Sequence, residues 1–153
     1  MNGIHLSSSI TAEWHSLVSD AEAQCGFHVD DSLRHYLIIT LDHFTTDSQL
    51  ASVVIAIDFL EGLESFGRIG NSLLRQVGDR CLLLSGLFPE QARKRLVNEE
   101  YFVSIGRQAY ETIATVSIQA AYHSELFHQL SEEFIHLTQI LQAMRKVKHI
   151  NLS

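Results

Sequence analysis

Six large apolar residues near the C-terminus recur at alternating spacings of three and four: Phe127, Leu130, Phe134, Leu137, Leu141 and Met144. This alternation keeps side chains on one side of an α-helix. It also favours packing against a second helix that lies nearly parallel or antiparallel to the first. The pattern therefore predicts a long C-terminal helix. Its partner is either the preceding helix, running back beside it, or a second subunit.

Helical periodicity also runs through the rest of the chain. Only one of the 153 residues is proline, Pro89, and an interior proline would interrupt a helix by removing a backbone donor. Apolar stripes and capping residues predict helices over about Thr11–Cys25, Asp31–Phe44, Thr46–Gly62, Arg68–Ser85, Asn98–Ala120 and from Ser124 onward. We predict an all-α, single-domain bundle of about six helices over residues 1–153. The last two form an antiparallel hairpin, and residues 1–9 form a loose N-terminal segment.

Two of these helices carry specific expectations about burial. The fourth is apolar on every side at Leu82–Leu84, which predicts that it lies at the centre of the bundle. On the third helix, one face is expected to be buried; it comprises Leu50, Val53, Val54, Ile57 and Leu60.

The charge of the chain is unevenly distributed. Its net charge is −7; residues 1–64 carry ten acids and one base, Arg34, whereas residues 65–153 carry eight acids and ten bases. An acidic chain suits duplex nucleic acid poorly, so we predict no nucleic-acid partner. The uneven charge is expected to orient the two halves, or two subunits, on each other. Ile55, Phe59 and Ile135 lie outside the main apolar stripes, and this surplus apolar surface predicts a homodimer.

The sequence also indicates where the protein is expected to reside. Its first residues lack the basic and then apolar segments of a secretory signal, and no apolar run has the length of a membrane span. We therefore predict a cytoplasmic protein without a membrane partner.

Two Glu-x-x-His pairs, Glu125/His128 and Glu133/His136, have the spacing found in the metal sites of di-iron bundles. Such bundles require pairs on two helices that face inward. Here both pairs lie on one helix, and His128, Glu132 and His136 lie opposite its apolar seam. We therefore interpret this stripe as a solvated surface and predict no metal ligands.

Asp79 is the principal candidate site residue, because it comes just before the all-apolar stretch of the fourth helix. A buried carboxylate is costly unless it is paired and hydrogen-bonded. Arg75, one turn earlier, is a candidate partner, as are Arg68 and Arg107 from elsewhere in the chain. Gly78 has no side chain, so another helix can approach closely there.

Two interpretations of Asp79 remain open. In the structural interpretation, which we favour, an internal ion pair sets the register of the helices. In the functional interpretation, polar residues anchor a ligand pocket; they are Asp79, Arg80, Tyr101 and Tyr110.

The segment 74–110 also carries a recognisable pattern. It comprises Val77-Gly78-Asp79, Leu82–Leu84, Gly86–Pro89, Tyr101-Phe102, Gly106 and Ala109-Tyr110. This pattern resembles one in a family of small, uncharacterised bacterial all-helical proteins. The resemblance implies a bacterial source and an all-helical fold, but no reaction, ligand, cofactor or partner.

Three functional hypotheses follow from the sequence. We favour a non-enzymatic protein-interaction or adaptor module, whose partner is a second copy or another protein, because the chain has no catalytic motif. The alternative is a small-ligand-binding helical protein with a pocket near Asp79 and Tyr101. A metal-dependent enzyme is the third hypothesis. The sequence identifies no catalytic residue and no cofactor.

Overall fold

The structure, a computed structural model, describes residues 2–46, 55–65, 67–88, 99–116 and 121–148. Within those ranges the chain is all-α, without strands, and forms seven helices rather than about six. They are α1 (Asn2–Cys25), α2 (Asp31–Thr46), α3 (Ile55–Glu64), α4 (Gly67–Gly86), α5 (Glu99–Val116), α6 (Ala121–Glu132) and α7 (Phe134–Lys148).

The additional helix arises because the expected C-terminal helix is interrupted at Glu133. Two backbone hydrogen bonds still span the interruption, from Glu133 N to Gln129 O and from Leu137 N to Glu133 O. The two halves pack on different neighbours, α6 mainly on α5, and α7 mainly on α1 and α4. The interruption therefore lies where the C-terminal apolar residues stop packing mainly on α5 and begin to pack mainly on α1 and α4.

The other helix bounds differ mainly at the first helix. It begins at Asn2 rather than near Thr11, so the segment expected to be loose is helical from Asn2 onward. No proline occurs there to prevent the extension. Thr46, the expected start of the third helix, is instead the last residue of α2. Residues 47–54 and both expected ends of the fifth helix lie outside the described residues.

The core is formed where α4 packs against α3, α5 and α7. Leu82–Leu84 are buried, which confirms the central position of α4, and all six residues of the C-terminal seam are buried as well. Ser124 Oγ donates to Ala114 O, and Ser131 Oγ donates to Arg107 O. Since the contacts run in opposite directions along the two helices, α5 and α6 form the expected antiparallel hairpin.

Several large apolar side chains lie on the surface. Leu60 is 56% exposed, so its predicted burial is wrong; the side chains of the other four residues of that face lie outside the described set. Leu60 is on the outer side of α3, because Gly62 is the residue that faces Leu74 of α4. Ile135 is 49% exposed, as expected from its position outside the seam. Within the described residues, no helix has both the length and the apolar character to cross a membrane.

Candidate functional site

The carboxylate of Asp79 connects three helices. It extends from α4, and its Oδ1 accepts hydrogen bonds from the hydroxyls of Tyr36 on α2, at 2.6 Å, and Tyr110 on α5, at 2.8 Å. Both tyrosine side chains are buried, whereas the side chain of Asp79 retains 23% of its exposure. One carboxylate oxygen thus holds together helices that are distant in sequence.

Arg75 completes this cluster from one turn earlier on α4. Its Nε donates to the hydroxyl of Tyr36 at 3.1 Å and lies 3.9 Å from Asp79 Oδ2. Its guanidinium carbon also lies 5.0 Å from the centre of the Tyr36 ring, a cation–π distance. Arg75 is thus a candidate partner that the structure places beside Asp79, whereas the Nε of Arg107 donates to Ser131 O. The side chain of Arg68, the third candidate, lies outside the described residues.

Burial dominates the electrostatics of the cluster. It raises the pKa of Asp79 above its ordinary value, and the hydrogen bonds from the two tyrosines and the charges of Arg75 and His43 oppose that rise. Burial and the charge of Asp79 raise the pKa values of Tyr36 and Tyr110 well above 10. Both hydroxyls therefore stay protonated at neutral pH, as their role as donors requires.

The close approach of α5 to α4 depends on Gly78. A Cβ added at this position would overlap Cε1 of the Tyr110 ring, so no side chain fits there unless the ring moves. The prediction that Gly78 permits a close helix approach is confirmed. The ring of Tyr110 occupies this space, and its hydroxyl reaches Asp79, the next residue along α4.

The structure brings together two of the four predicted site residues, Asp79 and Tyr110. Arg80 follows Asp79 on α4 and is partly buried. Tyr101 precedes Tyr110 by nine residues, which places it about half a turn around α5 and about 13 Å along it; its ring packs on Phe102. Tyr36 was missed as a member of the cluster. The only signal for it was its position beside the apolar stripe of α2.

A second carboxylate with several hydrogen-bond donors, Glu22 on α1, was also missed by the sequence analysis. It is 2% exposed, and it accepts hydrogen bonds from the backbone N of Val29 and from Nε and Nη2 of Arg34. Arg34 also binds Asp31, whose side chain is 97% exposed. The available signal was that residues 1–64 contain ten acidic residues but only one Lys or Arg, which is Arg34.

The histidine stripe of α6 and α7 lies on the surface, as expected. His128 Nδ1 lies 3.1 Å from a carboxylate oxygen of Glu111 on α5, and its Nε2 lies 3.0 Å from Glu132. The contact with Glu111 is the main cause of a raised pKa of His128. In the described part of the chain, no group of three or more His, Cys, Asp or Glu residues is arranged to hold a metal ion.

An open groove of about 680 Å³ lies between α5 and the α6–α7 segment. We call it the α5–α7 groove. One wall is formed by Glu100, Val103, Ser104, Arg107 and Gln108, and the other by Ser131, Ile135, Thr138, Gln139 and Gln142. None of the four predicted site residues lines it.

Comparisons with protein-family models, curated proteins and solved structures found no match to this chain. The resemblance of segment 74–110 to bacterial helical proteins therefore remains an interpretation of that segment.

Proposed function

We propose that this protein is a non-enzymatic interaction module and that the α5–α7 groove is its binding surface. The observation that carries the proposal is Ile135, a large apolar side chain that lines an open groove and remains 49% exposed. Ile135 differs from the other exposed apolar residues in its position inside a concave surface with polar groups around it, which is the arrangement of an apolar interface core within a polar rim.

The walls of the groove also suit a protein ligand. Each wall is a helical face whose residues recur at spacings of three and four, the pattern into which the side chains of a third helix pack. The α5 wall, from Glu100 to Gln108, is about 12 Å long, or about two turns of helix. A helix from a partner is therefore the ligand that we favour.

The ligand-pocket hypothesis at Asp79 and Tyr101 has less support. Oδ1 of Asp79 is already occupied by the hydroxyls of Tyr36 and Tyr110, and Arg75 lies beside Oδ2. We propose that this cluster is structural and sets the positions of α2, α4 and α5. The homodimer, the cytoplasmic location and the bacterial origin remain parts of the wider proposal.

The binding surface can be tested by photo-crosslinking in the protein's own host. A photo-reactive amino acid at Gln139 probes the groove, and the same amino acid at the exposed Ser72 of α4 is the control. We expect a discrete crosslinked polypeptide from Gln139 only, and its mass distinguishes a second copy from another protein.

Two matched substitutions complete this test. Ile135→Glu places a charge in the groove and should abolish the Gln139 crosslink, whereas Ile69→Glu, at an exposed isoleucine of α4, should leave it unchanged. Crosslinking from Gln139 that does not exceed the Ser72 control, or that survives Ile135→Glu, would contradict the proposal.

A further inference from the structure

The α5–α7 groove has an acidic end and a basic end. Among its described lining residues, only Glu100 and Arg107 are charged. They lie seven positions apart on α5, which places them on the same side of the helix and about 10 Å apart along its axis. A ligand in the groove therefore meets a negative charge at one end and a positive charge two turns away.

The guanidinium of Arg107 is held in place before any ligand arrives. Its Nε donates to Ser131 O at 3.1 Å, and Ser131 Oγ donates back to Arg107 O at 3.1 Å. Within the described part of the chain, neither terminal nitrogen of Arg107 has an acceptor. These two nitrogens form the planar fork that binds both oxygens of a carboxylate.

Two apolar side chains face each other near the middle of the groove, beside the hydroxyl-bearing Ser104. Val103 of α5 lies between the two charged positions, and Ile135 of α7 contributes the opposite wall. The neutral side chains of Gln108 and Gln139 also line the groove and add no charge. The groove is therefore complementary to a surface with an apolar centre, a basic group at one end and an acidic group at the other.

We propose that the α5–α7 groove binds a partner helix that places a Lys or Arg beside Glu100 and an Asp or Glu beside Arg107. Residues seven positions apart on the partner lie on one face at about the same 10 Å separation, with room for apolar residues between them. The charge order determines which way the partner lies. This inference rests on the proposed function, because it names the ligand of that binding surface.

Three designed helical peptides test the charge rule. They share the same apolar positions and differ only at two positions seven residues apart, which carry Lys and Glu, Lys and Lys, or Glu and Glu. Each is labelled with a fluorophore and titrated with the full chain at low salt, where screening is weak. We expect the Lys/Glu peptide to bind at least about threefold more tightly than either like-charged peptide.

Charge-reversed variants provide the matched controls. Glu100→Lys should shift the preference to the Glu/Glu peptide, and Arg107→Glu should shift it to the Lys/Lys peptide. Circular dichroism checks the fold of each variant. Glu100→Lys keeps the test decisive even if loss of the Arg107–Ser131 contacts disturbs the fold, because Glu100 is exposed.

The outcomes separate this inference from the proposed function. Equal binding of the three peptides, with all three weakened by Ile135→Glu, would overturn the charge rule but support the groove as a binding surface. Failure of all three peptides to bind would also overturn the charge rule, while the Gln139 crosslink decides the proposed function independently. Reversal of peptide preference by the charge-reversed variants would support the inference.

Discussion

The ring of Tyr110 fills the space in which a side chain at Gly78 would lie. Because Gly78 has no side chain, α4 and α5 approach closely enough for the Tyr110 hydroxyl to donate a hydrogen bond to Asp79, the residue after Gly78, at 2.8 Å. The glycine and this hydrogen bond are therefore parts of one arrangement, because the bond requires the close approach that Gly78 permits.

Gly78→Ala should destabilise the protein, although alanine is the better helix former. Helix propensity alone predicts a gain of about 1 kcal/mol. The new Cβ would overlap the Tyr110 ring, and overpacking of this kind typically costs about 1–3 kcal/mol. Urea denaturation measures the free energy of unfolding, with Ser72→Ala on the exposed side of α4 as the control. A variant as stable as the wild type would show that α5 shifts away freely.

Removing the Asp79 carboxylate, which accepts both hydrogen bonds, should lower the free energy of unfolding more than removing either tyrosine hydroxyl. Tyr36→Phe and Tyr110→Phe each delete one hydroxyl and should cost about 1 kcal/mol. Asp79→Ala leaves two buried hydroxyls without their acceptor and should cost about 3–5 kcal/mol. In a Tyr36→Phe/Tyr110→Phe background, Asp79→Ala should cost much less. If Asp79→Ala lowered the unfolding free energy equally in the wild type and in the double-Phe background, the three side chains would not be energetically coupled.

The stability of the protein should depend on the ionisation of Asp79. Its pKa is raised in the folded protein, so the folded state holds this proton more tightly than the unfolded state does. The unfolding free energy should therefore fall as the pH rises from about 4 through the raised pKa. Asp79→Asn, which does not titrate, should lack this component. Denaturation of both proteins from pH 3 to pH 8 measures how the unfolding free energy changes with pH. A wild type that becomes more stable relative to Asp79→Asn as the pH rises would contradict the prediction.

The two carboxylates that bind Arg34 should contribute unequally to stability. Glu22→Ala leaves the buried N–H of Val29 without its acceptor and removes both bonds to Arg34, so we expect a loss of about 3–5 kcal/mol. Asp31→Ala removes an exposed ion pair with the same arginine and should cost less than about 1 kcal/mol. Thermal denaturation compares the two variants. Equal losses would mean that burial does not set the strength of these contacts.

The pKa of His128 should report its contact with Glu111. It is raised above 6.5, chiefly by the hydrogen bond to Glu111 and less by Glu132 and Glu125. Glu111→Gln should lower this pKa more than Glu125→Gln does, as measured by NMR titration of the histidine ring. The stabilising effect of protonated His128 is fully present below about pH 6.5 and is lost as the pH rises through the raised pKa. An unchanged pKa in Glu111→Gln would show that the contact does not form in solution.

The candidate site was only partly predictable from the sequence. Asp79 stood out because a carboxylate beside an all-apolar helical stretch needs a partner, and Arg75 was predictable because it lies one turn earlier. Tyr36 was not predictable as a partner of Asp79, because residue spacing within one helix does not show which residues of another helix it will contact. Glu22 also escaped notice, since its partner Arg34 lies on another helix.

The sequence by itself determined the all-helical fold, the buried C-terminal seam and the central position of Leu82–Leu84, because helical periodicity depends only on spacing along the chain. Only the tertiary structure decided where the C-terminal seam changes partner at Glu133 and which hydroxyls reach Asp79. It also decided that Glu100, Arg107 and Ile135 line one groove. The physical reason is that such contacts join residues far apart in the chain, and they exist only once the helices have packed.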